Sequence, residues 1–301
     1  MEALRRYEPL VDDFEAFRDA CERPLPTVVR ASTIKGDVER AVRAFEDAGI
    51  EVTRRDWNPR ILEVDTEKPG NTWPYFHGWV HGQEEVSAIP ARILDPQPDE
   101  AVWDTCAAPG GKSTQLADLM DDSGLVVAND DNLGRLSALR GNADRLGVTS
   151  LAVTNEDARR FDPSAVDVDE FDRVLVDAPC TCEGTVRKNP DALDGASPAA
   201  SRNLGRLQAD ILRRAVELTK PGGVVVYSTC TFAPEENEAV VDAVLGEFDD
   251  LSIEPFDIDL VHDDGLTEWD DVTYDESLAH AKRFYPHQND TGGFFTVKLR
   301  A

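Results

Sequence analysis

Two cysteines stand where apolar runs end, in the segments "DAPCTCEGT" (177–185) and "YSTCTFAPEENE" (227–238). Cysteine is often buried for packing alone, so Cys230 could be a small core residue or a nucleophile. If both runs are strands of one parallel sheet, Cys180 and Cys230 emerge at the same edge of that sheet. Two thiols at one edge are harder to explain by packing than one, and they favour covalent chemistry.

The same thiols raise the alternative of a zinc site. Cys180, Cys182 and Cys230 offer three sulfur ligands, but the sequence has no fourth ligand at a recognisable metal-binding spacing. We therefore expect no metal ion here. The five cysteines are also an odd number scattered along the chain, which indicates reduced thiols rather than a disulfide framework.

The elements that position these cysteines begin near residue 80. Apolar runs alternate with helical segments from there on, which predicts an α/β fold with a Rossmann-like parallel sheet covered on both faces. The predicted strands are residues 100–106, 124–130, 151–157, 171–179 and 222–230. Ligands of such sheets bind at the carboxyl ends of the strands. Acidic residues stand at or near these ends: Asp104, Asp130, Asp157 and Asp177.

The first predicted strand runs into "DTCAAPGGKST" (104–114), whose glycines let a ligand approach the backbone and the amides of the next helix. The Walker pattern fails because Cys106 occupies the place of its first glycine, and the dinucleotide pattern G-x-G-x-x-G is absent. Asp130 is placed to accept from both hydroxyls of a ribose, and Asp157 from an adenine amino group. An adenosyl ligand without a triphosphate fits best, although either aspartate could instead cap a helix.

A smaller unit precedes the sheet. A strand at 27–33, an amphipathic helix at 35–50 and a strand at 60–65 predict a small α+β domain. The segment "EKPGNTWPYFHG" (67–78) breaks this pattern with prolines and glycines and marks a boundary. We therefore expect two domains, residues 1–78 and residues 79–301.

The chain is strongly acidic, with 59 Asp and Glu against 31 Lys and Arg and a formal net charge of -28. This excess is spread over a chain with 41% hydrophobic residues, so it indicates a salt-adapted, halophilic surface rather than disorder. In molar salt the Debye length is about 3 Å, so the net charge does not exclude an RNA substrate. The sequence shows no signal peptide and no membrane-spanning run, and we expect a cytoplasmic protein.

Five segments resemble one known family when they are taken together. They are "DTCAAPGGKSTQLADLM", "VVANDDNLGRL", "FDRVLVDAPCTCEGTVRKNPDA", "YSTCTFAPEENEAVVDAVL" and "RFYPHQNDTGGFFTVKLR". Their pattern is similar to that of the RNA 5-methylcytosine methyltransferases of the NOL1/NOP2/Sun (RsmB-type) family, over roughly residues 80–301. The N-terminal unit looks like the small RNA-contacting domain of this family, and the short chain is similar to its archaeal tRNA-modifying members.

The resemblance implies methylation of cytosine carbon 5 in RNA, with tRNA as the expected substrate and rRNA as the alternative, by a monomer. In the family, the cysteine at the position of Cys230 attacks carbon 6 of cytosine, and the one at Cys180 helps to release the product. By similarity, Asp177 holds the N3 and amino edge of the base. Lys112, or a helix starting near Pro234, would activate the thiol. The family usually has glycine at position 182, and we assign Cys182 no role.

The resemblance further implies S-adenosylmethionine as cofactor. The residues expected to bind it are Cys106, Ala107, Ala108, Pro109, Gly110, Gly111, Lys112, Asp130, Arg135, Asp157 and Asp177. Two other functions remain open, an ATP-dependent enzyme that uses "GGKST" and a non-catalytic RNA-binding module. The aromatic segments "WPYFHGW" (73–79) and "RFYPH" (283–287) could stack on RNA bases or pack internally, and Arg187 and Lys188 could hold a phosphate.

Overall fold

The N-terminal part of the chain contains a small α+β unit. In the computed structural model, which describes residues 2–301, its strands are β1 (Val28–Ala31), β2 (Val52–Arg55), β3 (Asn58–Val64) and β4 (Val80–Gly82). The strands are antiparallel and lie in the order β2-β3-β1-β4. The helices of this region are α1 (Phe14–Glu22), α2 (Val38–Glu46) and α3 (Trp73–Phe76). The sequence predicts β1, α2 and β3, but it misses β2, which is largely solvent-accessible and lacks a buried face.

The small sheet ends beyond the predicted boundary, because β4 pairs with β1 and finishes at Gly82. The N-terminal residues do not belong to this sheet. Tyr7 and Phe17 instead pack against Phe232 of the larger domain, with ring centroids 5.6 and 5.1 Å from the Phe232 ring. The N-terminal helical segment therefore supports the larger domain, and the small unit comprises residues 28–82.

The larger domain is built on a nine-stranded mixed sheet. Its parallel strands follow the predicted runs: β5 (Ala101–Asp104), β6 (Leu125–Asn129), β7 (Leu151–Thr154), β8 (Phe171–Asp177) and β9 (Thr219–Thr229). The C-terminal segment adds β10 (Ser252–Ile253), β11 (Asp263–Asp264), a separate hairpin of β12 (Glu268–Trp269) and β13 (Val272–Thr273), β14 (Lys282–Phe284) and β15 (Phe294–Arg300). The sheet order is β11-β14-β15-β9-β8-β5-β6-β7, with β10 beside β15.

Strand β5 is the point where the strand order reverses, since β6 lies on one side of it and β8 on the other. This confirms the predicted Rossmann-like arrangement and places the ligand crevice at the end of β5. The antiparallel extension was not predicted. Strand β15 covers the edge of β9 in antiparallel register, so the sheet is mixed rather than parallel throughout.

Helices cover both faces of the sheet. They are α4 (Ile89–Leu94), α5 (Gly111–Leu119), α6 (Leu133–Leu146), α7 (Pro198–Glu217), α8 (Glu238–Leu245) and α9 (Pro286–Asn289). Short 3-10 helices occupy Glu2–Leu10, Pro69–Asn71, Val86–Ala88, Ala158–Arg160, Pro163–Val166, Glu183–Thr185, Pro190–Leu193 and Glu276–His280. Successive strand residues join different hydrophobic clusters: Val102 packs near α4 and α5, and Trp103 packs near α7. Among residues 2–301, none of the helices has the length and apolar composition that crossing a bilayer requires.

A buried ion pair fixes the small unit to the larger domain. Arg30 of β1 donates to Asp118 of α5 at 3.0 Å and also to Gln83 and Thr114 at 2.8 and 3.1 Å. All of these side chains are buried. Breaking such a pair by removing one partner typically costs about 3–5 kcal/mol, because a buried charge is left unmatched. The small unit is thus held against the helix that begins at the glycine loop.

Candidate active site

Cys180 and Cys230 lie side by side at the carboxyl edge of the sheet. Strands β8 and β9 are parallel neighbours, and Asp177 stands opposite Ser228 at their last paired position. Each cysteine follows shortly after its strand, and the two Sγ atoms are 3.3 Å apart. Cys182 joins them, with its Sγ 3.7 Å from that of Cys180. The three thiols form one cluster, and none of the cysteines in residues 2–301 is in a disulfide.

Buried polar groups hold the two cysteine loops together. Glu236, from the loop after Cys230, accepts hydrogen bonds from the Thr181 amide and hydroxyl at 3.0 and 2.7 Å. It also accepts from Gln208 of α7 at 3.0 Å. Burial raises the pKa of Glu236, and these donors partly oppose that effect. Because Thr181 lies between the first two thiols, this carboxyl group positions Cys180 relative to Cys230.

The helix expected to start near Pro234 begins at Glu238 instead. The preceding residues form turns, in which the amide of Asn237 donates to the carbonyl of Pro234. Glu238 is fully buried and forms an ion pair with Arg283. The amino end of α8 therefore carries a buried carboxylate already neutralised by an arginine. The expected helix start near Pro234 is therefore wrong, and of the two candidates for activating the thiol we favour Lys112 over this helix terminus.

The three thiols do not ionise independently. Hydrogen bonds from Cys180 and Cys230 lower the pKa of the Cys182 thiol. The hydrogen bond to Cys182 raises the pKa of Cys180. For Cys230 the hydrogen bond from Cys180 lowers the pKa, but Cys182 and burial outweigh it, so the net shift is upward. The charge on any one of these thiols therefore depends on the protonation of the other two.

Lys112 supplies a positive charge beside the thiols. Its Nζ donates to Asp177 Oδ2 at 2.7 Å and to Ser87 Oγ at 3.3 Å. Asp177 is held from the other side, because its Oδ1 accepts from Ser228 Oγ at 3.0 Å. Burial lowers the pKa of Lys112, but attraction to Asp177, with a contribution from Cys230, outweighs burial and raises it. Lys112 thus stays protonated within electrostatic reach of Cys230.

A cavity of about 270 Å³ opens between the glycine loop and the cysteines. The predicted site residues that line it are Cys106, Ala107, Ala108, Pro109, Gly111, Lys112, Asp177 and Cys230. Gly110, just before α5, has a φ of 99°, a conformation that glycine adopts more readily than residues with a side chain. The first amides of α5 lack partners within the helix, so they are suited to bind an acceptor group.

Asp130 and Arg135 hold the glycine loop through hydrogen bonds to the backbone of Ala108. Asp130 is buried, and its Oδ2 accepts from the amide of Ala108 at 3.0 Å. Arg135 of α6 pairs with the same carboxylate at 3.2 Å and donates to the Ala108 carbonyl. Asp130 Oδ1 accepts from the Asn132 amide at 3.0 Å. The structure therefore connects both predicted residues to the loop, and not directly to the cavity.

Asp157 lies apart from this cavity. Its carboxylate caps the 3-10 helix Ala158–Arg160 by accepting from the Arg159 amide at 3.1 Å. It also pairs with the Arg159 guanidinium at 2.6 Å, and this hydrogen bond lowers the pKa of Asp157. The helix-cap alternative thus describes Asp157 in this structure. Binding an adenine would require Asp157 to exchange Arg159 for the ligand.

Asp104 is a site residue that the sequence placed at a strand end without a role. It lines the cavity, is 1% exposed, and its Oδ2 accepts from Ser113 Oγ at 2.6 Å. Its Oδ1 has no hydrogen-bond partner within the described chain. Burial, together with the negative charge of Asp177, raises the pKa of Asp104 to about 7. The sequence signal for this role is that Asp104 is the first residue of "DTCAAPGGKST", at the end of strand β5 and next to the glycine loop.

The remaining sequence candidates divide into residues buried in the fold and residues that a ligand can reach. Arg187 is buried and donates to backbone carbonyls, including those of Pro24 and Thr291, so it supports the fold and is not available to a phosphate. Lys188 lines the cavity. In "RFYPH", Phe284 and Tyr285 are buried in the core. The segment "WPYFHGW" differs, because Trp73 and Phe76 on α3 are 67% and 70% exposed.

Comparison with known proteins decides the family. The model of the family described as 16S rRNA methyltransferase RsmB/F matches residues 91–300. The chain belongs to this family. Membership confirms the resemblance that the motifs indicated. It also confirms S-adenosylmethionine as the expected cofactor.

Relatives of the RsmB/F chain differ in length. The tRNA (cytosine(49)-C(5))-methyltransferase of Pyrococcus abyssi is 36% identical over 301 residues, which cover 99% of this chain and 94% of the relative. The ribosomal RNA small subunit methyltransferase F of Vibrio parahaemolyticus is 34% identical, with 100% of this chain but 62% of the relative covered. The crystal structure of a methyltransferase homolog protein from Pyrococcus horikoshii has a TM-score of 0.83 and 33% identity, covering 95% of this chain and 89% of that one. The chain thus spans about three fifths of the rRNA relative.

The donor set fits the methionine end of S-adenosylmethionine, which carries an ammonium and a carboxylate. The unpartnered Oδ1 of buried Asp104 is suited to accept from an ammonium. The free amides at the start of α5 are suited to a carboxylate. Both features border the cavity, since Asp104, Gly111 and Lys112 line it.

The buried Asp104 carboxylate, with one oxygen unmatched, is expected to lower the stability of the fold while favouring cofactor binding. Its pKa of about 7 in the fold lies above the ordinary value of about 4, so the native state loses stability as the pH rises through that interval. Asp104→Asn removes the buried charge and should raise the free energy of unfolding at pH 8 by about 1–3 kcal/mol. The advantage should shrink as the pH falls towards 4. Urea unfolding between pH 4 and pH 8 measures this difference, and calorimetry should show weaker binding of S-adenosylmethionine.

Asp122→Asn is the contrasting control. Asp122 is exposed to solvent on one side and accepts hydrogen bonds from the amides and hydroxyls of Thr149 and Ser150. These bonds lower its pKa against the effect of burial, so the amide should destabilise the fold above pH 4. If Asp104→Asn destabilises the protein at pH 8 as well, Asp104 is not an isolated buried charge.

Proposed function

We propose that this protein methylates carbon 5 of cytosine in RNA and that its substrate is a tRNA. The observation that carries the proposal is the pair of thiols, Cys180 and Cys230, 3.3 Å apart at the edge of an RsmB/F fold. Cys230 lines the cavity beside the glycine loop, and the Cys180 Sγ lies next to the Cys230 Sγ. A cytosine must leave its stack to reach this recess, as bases do in enzymes that act on their ring atoms.

Cys230 is the nucleophile in this proposal. Its sulfur forms a bond to carbon 6 of cytosine, and the electron pair of the 5,6 double bond makes carbon 5 nucleophilic. When bound, S-adenosylmethionine supplies an electrophilic methyl group. Asp177 accepts a hydrogen bond from the amino group of the base, and the Lys112 ammonium offsets negative charge on the ring.

Cys180 acts in the release of the product. Water in the cavity takes up the carbon 5 proton, the electron pair of that carbon–hydrogen bond re-forms the 5,6 double bond, and Cys230 departs as a thiolate. A thiol 3.3 Å from the departing sulfur can donate a hydrogen bond to that thiolate as it forms. The same contact lets the proton of Cys230 pass to its neighbours before the attack.

A tRNA-modifying relative supports tRNA as the substrate. The tRNA (cytosine(49)-C(5))-methyltransferase of Pyrococcus abyssi is 36% identical over 301 residues. The rRNA alternative keeps the same chemistry. A P-loop ATPase is disfavoured because Cys106 replaces the first glycine of the motif and Ser113 is engaged by Asp104 rather than free for magnesium. A non-catalytic module is disfavoured by the retained thiol pair.

The small unit of residues 28–82 is proposed to contact the RNA, chiefly through its helix α3. Trp73 and Phe76 project from α3 and are largely exposed, with ring centroids 5.9 Å apart. The His77 ring stacks between those of Trp73 and Trp79, and Arg40 lies over the Trp79 ring at 4.0 Å. Exposed aromatics next to a guanidinium are suited to stack on unpaired bases.

The acidic surface is proposed to be an adaptation to high salt, in the cytoplasm of a halophile. The net charge of -28 repels itself at low ionic strength. A cytoplasmic location is supported by the free state of every cysteine in residues 2–301, which is typical of a reducing compartment. The monomeric state stays a prediction from the resemblance.

The two cysteines should be distinguishable by what each variant leaves behind. Cys230→Ala removes the nucleophile, so methyl transfer and any covalent complex with RNA should vanish while cofactor binding persists. Cys180→Ala keeps the attack but impairs release, so a protein–RNA adduct should accumulate. Denaturing electrophoresis with labelled tRNA detects the adduct, and transfer of labelled methyl groups measures the rate.

Cys21→Ala is the control for this pair, because Cys21 is buried on α1 outside the thiol cluster. It should methylate RNA at the rate of the unmodified protein. If the adduct accumulates in Cys230→Ala and not in Cys180→Ala, the two roles are exchanged. Normal methylation by both variants would refute the covalent mechanism.

Loss of the exposed aromatics should weaken RNA binding without changing the chemistry. Trp73→Ala combined with Phe76→Ala should lower tRNA affinity on the order of tenfold, as expected when stacking on a base is lost. The rate at saturating tRNA and the affinity for S-adenosylmethionine should not change. Val261→Ala is the matched control, since Val261 is also exposed but lies in the C-terminal segment. Equal tRNA affinity for the double variant and the control contradicts a role of α3 in binding.

The stability of the fold should rise with salt. Potassium chloride at molar concentration screens repulsion between the acidic side chains, so the melting temperature should increase steadily from dilute buffer upward. Circular dichroism at increasing salt measures it, and sucrose at matched osmolality controls for general solute effects. A melting temperature that is highest in dilute buffer argues against salt adaptation.

A further inference from the structure

The third thiol of the cluster has no part in the proposed chemistry. Cys182 follows Cys180 in the same loop, and its Sγ lies 3.7 Å from the Cys180 Sγ. The Sγ atoms of Cys180, Cys182 and Cys230 all lie within 4.8 Å of one another. A tetrahedral ion with metal–sulfur bonds of about 2.3 Å needs sulfur–sulfur edges of roughly 3.8 Å. The three sulfurs are therefore spaced close to one triangular face of such a tetrahedron.

The backbone at Cys182 makes this side chain unexpected. Its φ of 61° lies in the left-handed region, where glycine is favoured over residues with a side chain. The residue nevertheless turns its sulfur towards the other two thiols instead of leaving it in solvent. A side chain kept in a disfavoured backbone conformation at a reactive site points to a function for that side chain.

The surroundings also suit a thiolate-bound cation. Lys112 lies near Cys230 and offsets the excess negative charge of three thiolates around a divalent ion. Cys230 also lines the cavity, which offers room for water as a fourth ligand.

We propose that Cys180, Cys182 and Cys230 together bind one thiophilic divalent ion, Zn²⁺ or Cd²⁺, with the fourth position open to solvent. This departs from the expectation of no metal drawn from the missing fourth ligand, because sites with three protein ligands and an open position are common. Each binding thiol loses its proton to solvent as the metal–sulfur bond forms. The bound ion occupies the nucleophile, so it excludes RNA chemistry and makes methylation sensitive to such metals.

A cadmium titration of the reduced full-length protein tests the site without RNA. The thiolate-to-metal charge-transfer absorption should saturate at one ion per chain, with release of protons. Cys182→Gly and Cys182→Ser should each weaken cadmium affinity on the order of 100-fold or more. Cys106→Ala, a cavity cysteine outside the cluster, should bind cadmium like the unmodified protein. Saturation that is unaffected by either Cys182 variant, or no charge-transfer band at all, overturns the proposal.

A second experiment measures how zinc inhibits tRNA methylation, and it rests on the proposed function. The zinc concentration that halves tRNA methylation should rise in Cys182→Gly, with each protein compared to its own metal-free rate. Equal zinc sensitivity of the two proteins contradicts metal inhibition at this cluster. A protein that binds cadmium but never methylates RNA would leave the metal site standing and refute the methyltransferase proposal instead.

Discussion

Parallel pairing of β8 with β9 is the constraint on which the site depends. Their register sets Asp177 opposite Ser228, so the loops that follow leave the sheet at the same height and on the same edge. Two thiols far apart in the chain then come to 3.3 Å, and the amide of Gly184 in the first loop donates to the carbonyl of Cys230 in the second at 2.9 Å. A shift of this register by one residue would reverse the faces of the side chains and separate the thiols.

Buried charges around the site serve positioning at a cost in stability. Glu236 joins the cysteine loops, Arg30 and Asp118 fix the small unit on α5, and Asp104 leaves one oxygen unmatched in the cavity. The first two are paired and rigid, which suits residues that hold others in place. Asp104 differs, since an unpaired buried carboxylate is destabilising until a ligand matches it. The unmatched oxygen of Asp104 is therefore the candidate for ligand contact, and the groups whose hydrogen bonds are satisfied hold the site in place.

Residues near both chain termini pack against the segments that flank Cys230. The N-terminal segment packs Tyr7 and Phe17 on Phe232, in the loop just after Cys230. From the C-terminal side, β15 covers β9, and Arg283 of β14 neutralises Glu238 at the start of α8. Segments remote from the thiols in sequence thereby fix the loop that carries Cys230. This support also explains why α8 lacks a free positive end that could act on Cys230.

The sequence by itself determined the order of the parallel strands along the chain, the glycine loop and the positions of Cys180 and Cys230 at strand ends. These features follow from local alternation of apolar runs, turn residues and helix periods, which can be read within one segment. The motifs also carried the family, because they preserve residue types at fixed spacing. The tertiary structure alone decided that β15 covers β9, that Asp157 caps a short helix, that Asp104 is isolated in the cavity and that Cys182 meets two other thiols. Each of these depends on which distant segment lies beside a residue and on how much water remains around it, and neither quantity is encoded in the residue's own neighbourhood in the chain.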